Sequence, residues 1–75
     1  EVYELVFGKG ARLTSEAHSP GCREHLTVLA GRVTVTSGEA VERLNPGDLA
    51  RYPADRAHEI AAENTARAIL IVQDS

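Results

Sequence analysis

Two histidines and one glutamate are the residues of this sequence best suited to bind a divalent metal: His18, Glu24 and His58. Glu24 follows His18 across a Pro-Gly turn, and His58 follows a bend that contains proline and aspartate. Two imidazoles and one carboxylate, brought together from separate strands, form a ligand set that suits non-haem iron and related divalent metals. The alternative is a polar pocket in which these side chains hydrogen-bond one another or a ligand, because a buried charge requires a partner.

The order of apolar and polar residues predicts that short β-strands position these side chains. Strict alternation in residues 32–36, and Gly or Pro between extended stretches at intervals of about 8–12 residues, are typical of an all-β sandwich or barrel. Residues 45–48, Asn-Pro-Gly-Asp, predict a type II turn in which the glycine supplies the positive φ. The Ala, Glu and Arg content of residues 57–70 leaves a helix there as an alternative. Seven or eight strands are predicted, from the segments 2–7, 12–16, 24–30, 32–36, 41–44, 49–53, 57–62 and 66–72.

Alternation along a strand also predicts which side chains share a face. His25 has the opposite parity to Glu24, and we expect it to pack or hydrogen-bond on the outer face. Tyr52 is the one aromatic residue expected inside, either in the core or beside a ligand, where its hydroxyl needs a partner. Cys22 is expected to be a buried apolar residue, the alternative being a metal ligand beside Glu24. The predicted inward-facing residues are Glu24, Leu26, Val28, Ala50 and Tyr52.

Length and composition describe one small soluble domain. The chain has 75 residues, of which 43% are hydrophobic and 25% charged, and its formal net charge is −3. These values exclude a disordered chain, and no apolar run reaches the length of a membrane span. A domain of this size buries only about 60% of the surface that its unfolded chain exposes, so disulfides, metals or oligomerisation usually support it. Cys22 is the only cysteine, which leaves a metal or a partner subunit.

Two stretches of the chain carry acidic, glycine or proline residues at fixed distances from a histidine. They are His18-Ser-Pro-Gly-Cys-Arg-Glu24-x6-Gly31 and Gly47-x5-Pro53-x-Asp55-x2-His58. Both spacings resemble the two sequence motifs of the cupin superfamily, and the resemblance covers nearly the whole chain. It implies an all-β fold in which residues 1–75 form a single small cupin barrel of the jelly-roll type.

The resemblance also implies a set of metal ligands. In catalytic cupins the first motif supplies two histidines and a glutamate, and the second motif supplies one histidine. Here His18, Glu24 and His58 occupy three of these positions, and Pro20 occupies the fourth. This implies either a three-ligand site for iron, manganese, nickel or zinc, or a pocket without a metal. A bound metal requires neutral histidines and an ionised Glu24, so its affinity is expected to fall as the pH drops through the histidine range.

Residues 23–32 and 53–58 resemble the C-terminal sensor domain of bacterial transcription regulators, in which a helix-turn-helix module of the Xre type precedes one small cupin. This resemblance implies that the chain is the C-terminal part of a longer cytoplasmic protein, and its start at Glu1 without a methionine fits that expectation. DNA would be bound only by the helix-turn-helix module, because this acidic chain has no basic stripe. The alternatives are a metal-dependent enzyme, such as a dioxygenase or isomerase, and a storage or assembly module without a ligand.

The expected partners are a small-molecule effector and a second copy of the chain, with no membrane involved. The effector is expected to bind in the barrel beside His18, Glu24, Tyr52 and His58. The first predicted strand, residues 2–7, is apolar on both faces. One face is therefore free to pack against a second subunit, and we expect a homodimer.

Overall fold

The structure is a computed structural model that describes residues 1–74, and throughout this range it contains strands, turns and loops without a helix. The predicted all-β fold is confirmed, and each strand begins and ends within one residue of its predicted bounds. The eight strands are β1 (Val2–Phe7), β2 (Arg12–Ser15), β3 (Arg23–Ala30), β4 (Val33–Ser37), β5 (Ala40–Leu44), β6 (Leu49–Pro53), β7 (His58–Ala62) and β8 (Ala66–Gln73).

The helix considered for residues 57–70 is wrong, because β7 and β8 fill this part of the chain. The residues that are buried there recur at every second position, which is the period of a strand with one face on the core. Burial of this face outweighs the helix propensity of alanine, glutamate and arginine, which is a weak preference. The buried residues are His58, Ile60, Ala62, Ala66, Ala68 and Leu70.

The strands form two antiparallel sheets of four strands each. The first sheet has the order β1-β8-β3-β6 and the second has the order β2-β7-β4-β5. Apart from the β4–β5 hairpin, each connection between successive strands passes from one sheet to the other. This is the layout of a small jelly-roll barrel, with the two inner faces packed on each other.

The interior has an apolar part and a polar part. Large apolar side chains such as Leu26, Val33 and Ile60 are almost completely buried between the sheets. The buried polar residues are Glu24 on β3, Ser37 at the end of β4 and His58 at the start of β7. Because two of these three have chemically reactive side chains, the polar part of the interior is where a functional site is to be sought.

Tight turns at glycine set the register of neighbouring strands. In the turn between β5 and β6, Gly47 has a φ of +91° and the N–H of Asp48 donates to the carbonyl of Asn45 across 2.9 Å. These features agree with the predicted type II turn. Gly31, between β3 and β4, has a φ of +76° and lies against the backbone of Thr65 and Ala66. A side chain at this position would collide with that backbone, so the chain requires glycine there.

The outer surface of the first sheet carries exposed apolar residues. Val2 and Val6 on the edge strand β1 are 68% and 73% exposed, whereas Phe7 at the end of the same strand is buried. Within residues 1–74 there is no helix with the length and apolar character that a membrane span requires.

Candidate metal and ligand site

The three residues expected to bind a metal lie together at the polar end of the barrel. Glu24 is on β3, His58 is the first residue of β7, and His18 is in the loop between β2 and β3. Oε2 of Glu24 lies 3.2 Å from Nε2 of His18 and 3.0 Å from Nε2 of His58. One ligand atom from each residue falls within 4.8 Å of the others. Such a cluster of nitrogen and oxygen donors has the composition and spacing that a divalent metal needs.

The protonation of His58 is restricted by its second ring nitrogen. Nδ1 of His58 lies 2.8 Å from the carbonyl oxygen of Arg56, and a carbonyl accepts but does not donate, so Nδ1 carries a proton. In the neutral ring, Nε2 then has only a lone pair, and this lone pair faces an oxygen of Glu24 at 3.0 Å. Two acceptors at this distance require either a proton or a cation between them. A backbone carbonyl that accepts from the far nitrogen is also one of the ways in which proteins orient a metal-binding histidine.

Tyr52 holds the other oxygen of the central carboxylate. Its hydroxyl donates to Oε1 of Glu24 across 2.6 Å, and the two residues are register partners on β6 and β3. Burial, followed by the hydrogen bond to Glu24, raises the pKa of Tyr52 well above its ordinary value. Tyr52 is therefore a neutral donor at all physiological pH values, and it fixes the orientation of the carboxylate toward His18 and His58.

Backbone hydrogen bonds join the loop that carries His18 to the bend before His58. The N–H of His18 donates to the carbonyl of Ala54 and the N–H of Ala54 donates to the carbonyl of Cys22, each across 2.8 Å. The N–H of Gly21 donates to the carboxylate of Asp55 across 3.2 Å. This N–H lowers the pKa of Asp55, so the carboxylate stays ionised and the bond is charge-assisted. The two loops are therefore positioned as one unit.

A cavity of about 480 Å³ opens between β1 and β8 of the first sheet and β2 of the second, and we call it the intersheet cavity. Its apolar walls include Leu5, Leu13 and Leu70, and His18 and Glu24 contribute polar atoms. His18 is 41% exposed, whereas Glu24 is buried. Of the candidate metal ligands, His18 and Glu24 thus line the cavity, whereas His58, also expected beside the effector, is buried and does not line it. The volume of the cavity is in the range of small-molecule sites.

The remaining candidates lie away from the cavity. Tyr52, expected beside a ligand, is buried behind Glu24 and is not among the residues that line the intersheet cavity. Cys22 is completely buried, and within residues 1–74 its sulfur is not one of the converging ligand atoms, in agreement with an apolar role. His25 faces outward, where its Nε2 hydrogen-bonds Oε1 of Gln73 at 2.9 Å. The sequence analysis did not predict a role for Asp55, because its place in the second motif was the only sign of one. In the structure it accepts a hydrogen bond from Gly21 and so positions the loop that carries His18.

The residues present fit a divalent metal on the chemistry of their donors. Nε2 of His58 is directed at Glu24 by the bond from Nδ1 to Arg56, and Glu24 is oriented by Tyr52. A cation between these atoms would satisfy the two facing acceptors without a proton. Fold and site together define a small jelly-roll barrel with two histidines and a carboxylate beside an open cavity.

Comparison with known proteins identifies the family. A family model described as the cupin domain matches residues 3–73, and the chain therefore belongs to the cupin family. A comparison with curated protein sequences found no match.

Solved structures with the same fold include domains of transcription regulators. An HTH_3 family transcriptional regulator from Vibrio cholerae is 27% identical, with a TM-score of 0.93 over 99% of this chain and 42% of that chain. The Cupin_2 domain of an XRE family transcriptional regulator from Enterobacter cloacae is 18% identical, with a TM-score of 0.88 over 99% and 80% of the two chains. A protein of unknown function from Streptococcus pyogenes is 21% identical, with a TM-score of 0.85 over 99% and 63%. The chain spans less than half of the Vibrio regulator and is homologous to its cupin domain.

Proposed function

We propose that this cupin domain is the effector-sensing part of a bacterial helix-turn-helix transcription regulator and binds a small molecule in the intersheet cavity. The 27% identity to the Vibrio cholerae regulator, over 99% of this chain, supports the assignment to a regulator. The cavity supports ligand binding, because it combines apolar walls with the polar atoms of His18 and Glu24.

DNA recognition is assigned to a helix-turn-helix module outside these residues, with residues 1–75 as the C-terminal cupin domain of the longer protein. The net charge of −3 makes this chain itself unsuited to a polyanion, because DNA affinity depends on neutralising phosphates with Lys and Arg. A regulator that acts on DNA in a bacterium works in the cytoplasm. The ligand acts by binding one arrangement of the dimer more tightly than another, since only a difference in affinity shifts such an equilibrium.

A divalent metal is part of the proposed site, held by His18, Glu24 and His58. The observation that carries this assignment is the convergence of three donor residues, with Oε2 of Glu24 3.2 Å from Nε2 of His18 and 3.0 Å from Nε2 of His58. Iron, manganese, nickel and zinc all accept this donor set. When bound, the metal would supply Lewis acidity toward an oxygen or nitrogen of the ligand, while the protein residues orient the site and exclude water from its inner side.

An enzyme of the dioxygenase or isomerase type is the second candidate, and the open side of the cluster favours it. Against it, the residues of the described chain that line the intersheet cavity include no lysine or arginine to orient a reacting substrate. The polar side chains at the inner end of the cavity, His18 and Glu24, are themselves proposed metal ligands. A sensing role therefore accounts for the site better than an enzyme, because it requires no further residue to orient a reacting substrate.

Calorimetric titration with Zn²⁺, Mn²⁺, Ni²⁺ and, without oxygen, Fe²⁺ tests the metal. We expect binding near one metal per chain, abolished by His58→Ala and retained by the matched control His25→Ala, which changes a histidine on the outer face. If none of the four metals binds, or if the two variants bind equally, the metal assignment is wrong. Multiple turnovers of an oxidisable substrate by the iron-loaded protein, with dioxygen supplied as the oxidant, would favour the enzyme instead.

A further inference from the structure

The outer face of the first sheet is apolar across its width. Side chains alternate along each strand, so the neighbours of buried residues point away from the core. Three of the four strands present exposed large apolar side chains in this way, and the half-buried Ile69 lies between them. They are Val2 and Val6 on β1, Ile71 on β8 and Leu49 on β6. A contiguous apolar patch of this kind on a small domain marks a site of interaction.

The strand register arranges the residues of this outer face in rows that cross the sheet. Two neighbouring rows each take one residue from β1, β8, β3 and β6, in that order. The first row is Val2, Ile71, His25 and Arg51, and the second row is Glu4, Ile69, Thr27 and Leu49. The middle of both rows is without charge, whereas β1 carries a carboxylate and β6 carries a guanidinium.

Charges of opposite sign therefore stand at the two edges of the outer face. Arg51 on β6 is exposed and forms no ion pair within the part of the chain that the structure describes. Glu4 on β1 accepts from Arg67 with Oε2 across 2.8 Å, and no residue among 1–74 donates to its Oε1. An apolar middle with an unused acceptor at one edge and an unpaired cation at the other is complementary to a second copy of the same surface.

Two copies can stack their outer faces around a twofold axis in two ways. If the axis runs across the strands, each strand lies over its own copy, and like charges face each other. If the axis runs along the strands, β1 of one copy lies over β6 of the other, and β8 lies over β3. A twofold interface repeats each contact, so the second arrangement brings the acidic edge of each copy to the basic edge of the other.

The rows stay aligned when the axis runs along the strands. Glu4 then lies one row, or about 7 Å along the strand, from Arg51 of the second copy, and an extended arginine side chain spans this distance. The stem of that arginine packs on Val2, since long charged side chains bury their methylenes on apolar surface. Arg23, a further exposed cation of this face, meets the neutral Gln73 of the second copy.

We propose that the chain forms a homodimer in which the two outer faces stack around a twofold axis along the strands, with Glu4 of each copy paired with Arg51 of the other. Ile69 and Ile71 of both copies lie in the middle of the interface. The inference is independent of the proposed function, because neither the intersheet cavity nor the metal site contributes to it. It also goes beyond the expectation that β1 contacts a second subunit, since it assigns β6 as the strand that β1 meets.

The size of the outer face sets the expected affinity. One face of a four-stranded sheet presents fewer than the roughly 20–30 residues a side of a standard interface. We therefore expect a dissociation constant of about 1–100 μM, which sedimentation equilibrium measures over a range of chain concentrations. An equilibrium in this range responds to changes in a few charges.

Charge reversal at either edge should dissociate the dimer. In Arg51→Glu both edges are acidic, and in Glu4→Arg both are basic, so two contacts per dimer change from attraction to repulsion. Each variant should raise the dissociation constant at least about tenfold at low salt. Arg51→Glu alone decides the question if Glu4→Arg lowers the melting temperature through its lost bond to Arg67, because Arg51 has no ion-pair partner within residues 1–74.

The double variant Glu4→Arg with Arg51→Glu exchanges the two charges and keeps the net charge of the natural chain. Its dissociation constant should return to within about threefold of the natural value, because each edge again meets its opposite. The matched control Glu42→Arg makes the same change of charge as Glu4→Arg at an exposed residue of β5 in the second sheet. It should leave the dissociation constant within about twofold of the natural value.

Three outcomes would overturn the inference. A natural chain that stays monomeric up to about 1 mM would show that the outer face does not take a second copy. Single variants that dimerise as well as Glu42→Arg would show that the interface lies elsewhere. A double variant that stays as weak as the single variants would exclude the arrangement in which β1 meets β6. None of these results bears on metal or effector binding, so the inference and the proposed function fail separately.

Discussion

The N–H of Gly21 donates to Oδ2 of Asp55 across 3.2 Å and ties the loop that carries His18 to the bend that precedes His58. The two histidines of the proposed metal site lie 40 positions apart in the sequence, yet their loops share this bond and the backbone bonds around Ala54. Asp55 does not contact the cluster itself and acts through the loop. It is therefore a positioning residue, and its effect is measurable without disturbing the ligand atoms.

Asp55→Ala should weaken metal binding by about tenfold, the scale on which loss of an outer hydrogen-bond partner acts at metal sites. The fold should persist, because Asp55 is partly exposed and its loss leaves no buried charge. Cobalt loading provides a direct readout, since its visible spectrum reports ligand geometry. We expect a changed cobalt spectrum for Asp55→Ala and a partial return with Asp55→Asn, which keeps an acceptor oxygen. An unchanged affinity and spectrum would show that Asp55 does not position the site.

The lowered pKa of Asp55 predicts a pH dependence of stability. The N–H of Gly21 is the first cause of the lowering, so the folded state favours the ionised carboxylate. A depressed folded pKa stabilises the fold above the unfolded value of about 3.9, and this stabilisation is lost as the pH falls through the folded value. The difference in melting temperature between the natural chain and Asp55→Asn should therefore be largest at neutral pH and shrink below about pH 4. A constant difference across this range would contradict the prediction.

Tyr52→Phe should destabilise the protein by about 1–3 kcal/mol, because Oε1 of Glu24 would lose its donor in a buried place. Urea unfolding measures the change. Tyr3→Phe is the matched control, since Tyr3 is 43% exposed and its hydroxyl is accessible to water, and its effect should stay within about 0.5 kcal/mol. Equal effects of the two substitutions would mean that the hydrogen bond from Tyr52 to Glu24 does not contribute to the free energy of unfolding.

Gly31→Ala should cost more than about 2 kcal/mol, since an alanine there is strained at positive φ and collides with the carbonyl of Thr65 and with Ala66. Gly10 has nearly the same φ, +78°, but a Cβ added to it meets no atom within 4 Å. Gly10→Ala should therefore show only the conformational cost of about 1 kcal/mol. Thermal unfolding of both variants separates collision from backbone strain, and equal losses would exclude the collision.

Val6→Glu should convert the expected homodimer to a monomer. Val6 is 73% exposed on β1, so the substitution leaves the core intact but places a charge on the apolar outer face. Light scattering after size exclusion gives the mass. Val41→Glu, at a site that is 62% exposed on β5 of the other sheet, is the control and should remain dimeric. Deletion of residues 1–7 should yield an unstable monomer, and a deletion variant that is folded and monomeric would exclude a role of β1 in dimerisation.

The sequence by itself determined the strands, the turns and the three metal-binding candidates. Alternation of side chains is a local property of an extended backbone, so the inward direction of Glu24 and Tyr52 followed from parity alone. The turn at Gly47 followed in the same way from the φ that glycine permits. The spacing of His18, Glu24 and His58 was informative because both cupin motifs carry it.

The tertiary structure decided what these residues do together. The proton on Nδ1 of His58 is set by the carbonyl of Arg56, and only the packing of β3 against β6 and β7 brings Nε2 to Glu24. The choice of strands over a helix between residues 57 and 70 likewise depended on burial between two sheets. The walls of the intersheet cavity come from strands at opposite ends of the chain, β1, β2 and β8. Contacts between residues so distant in sequence arise from sheet order and register, which no local pattern of residues specifies.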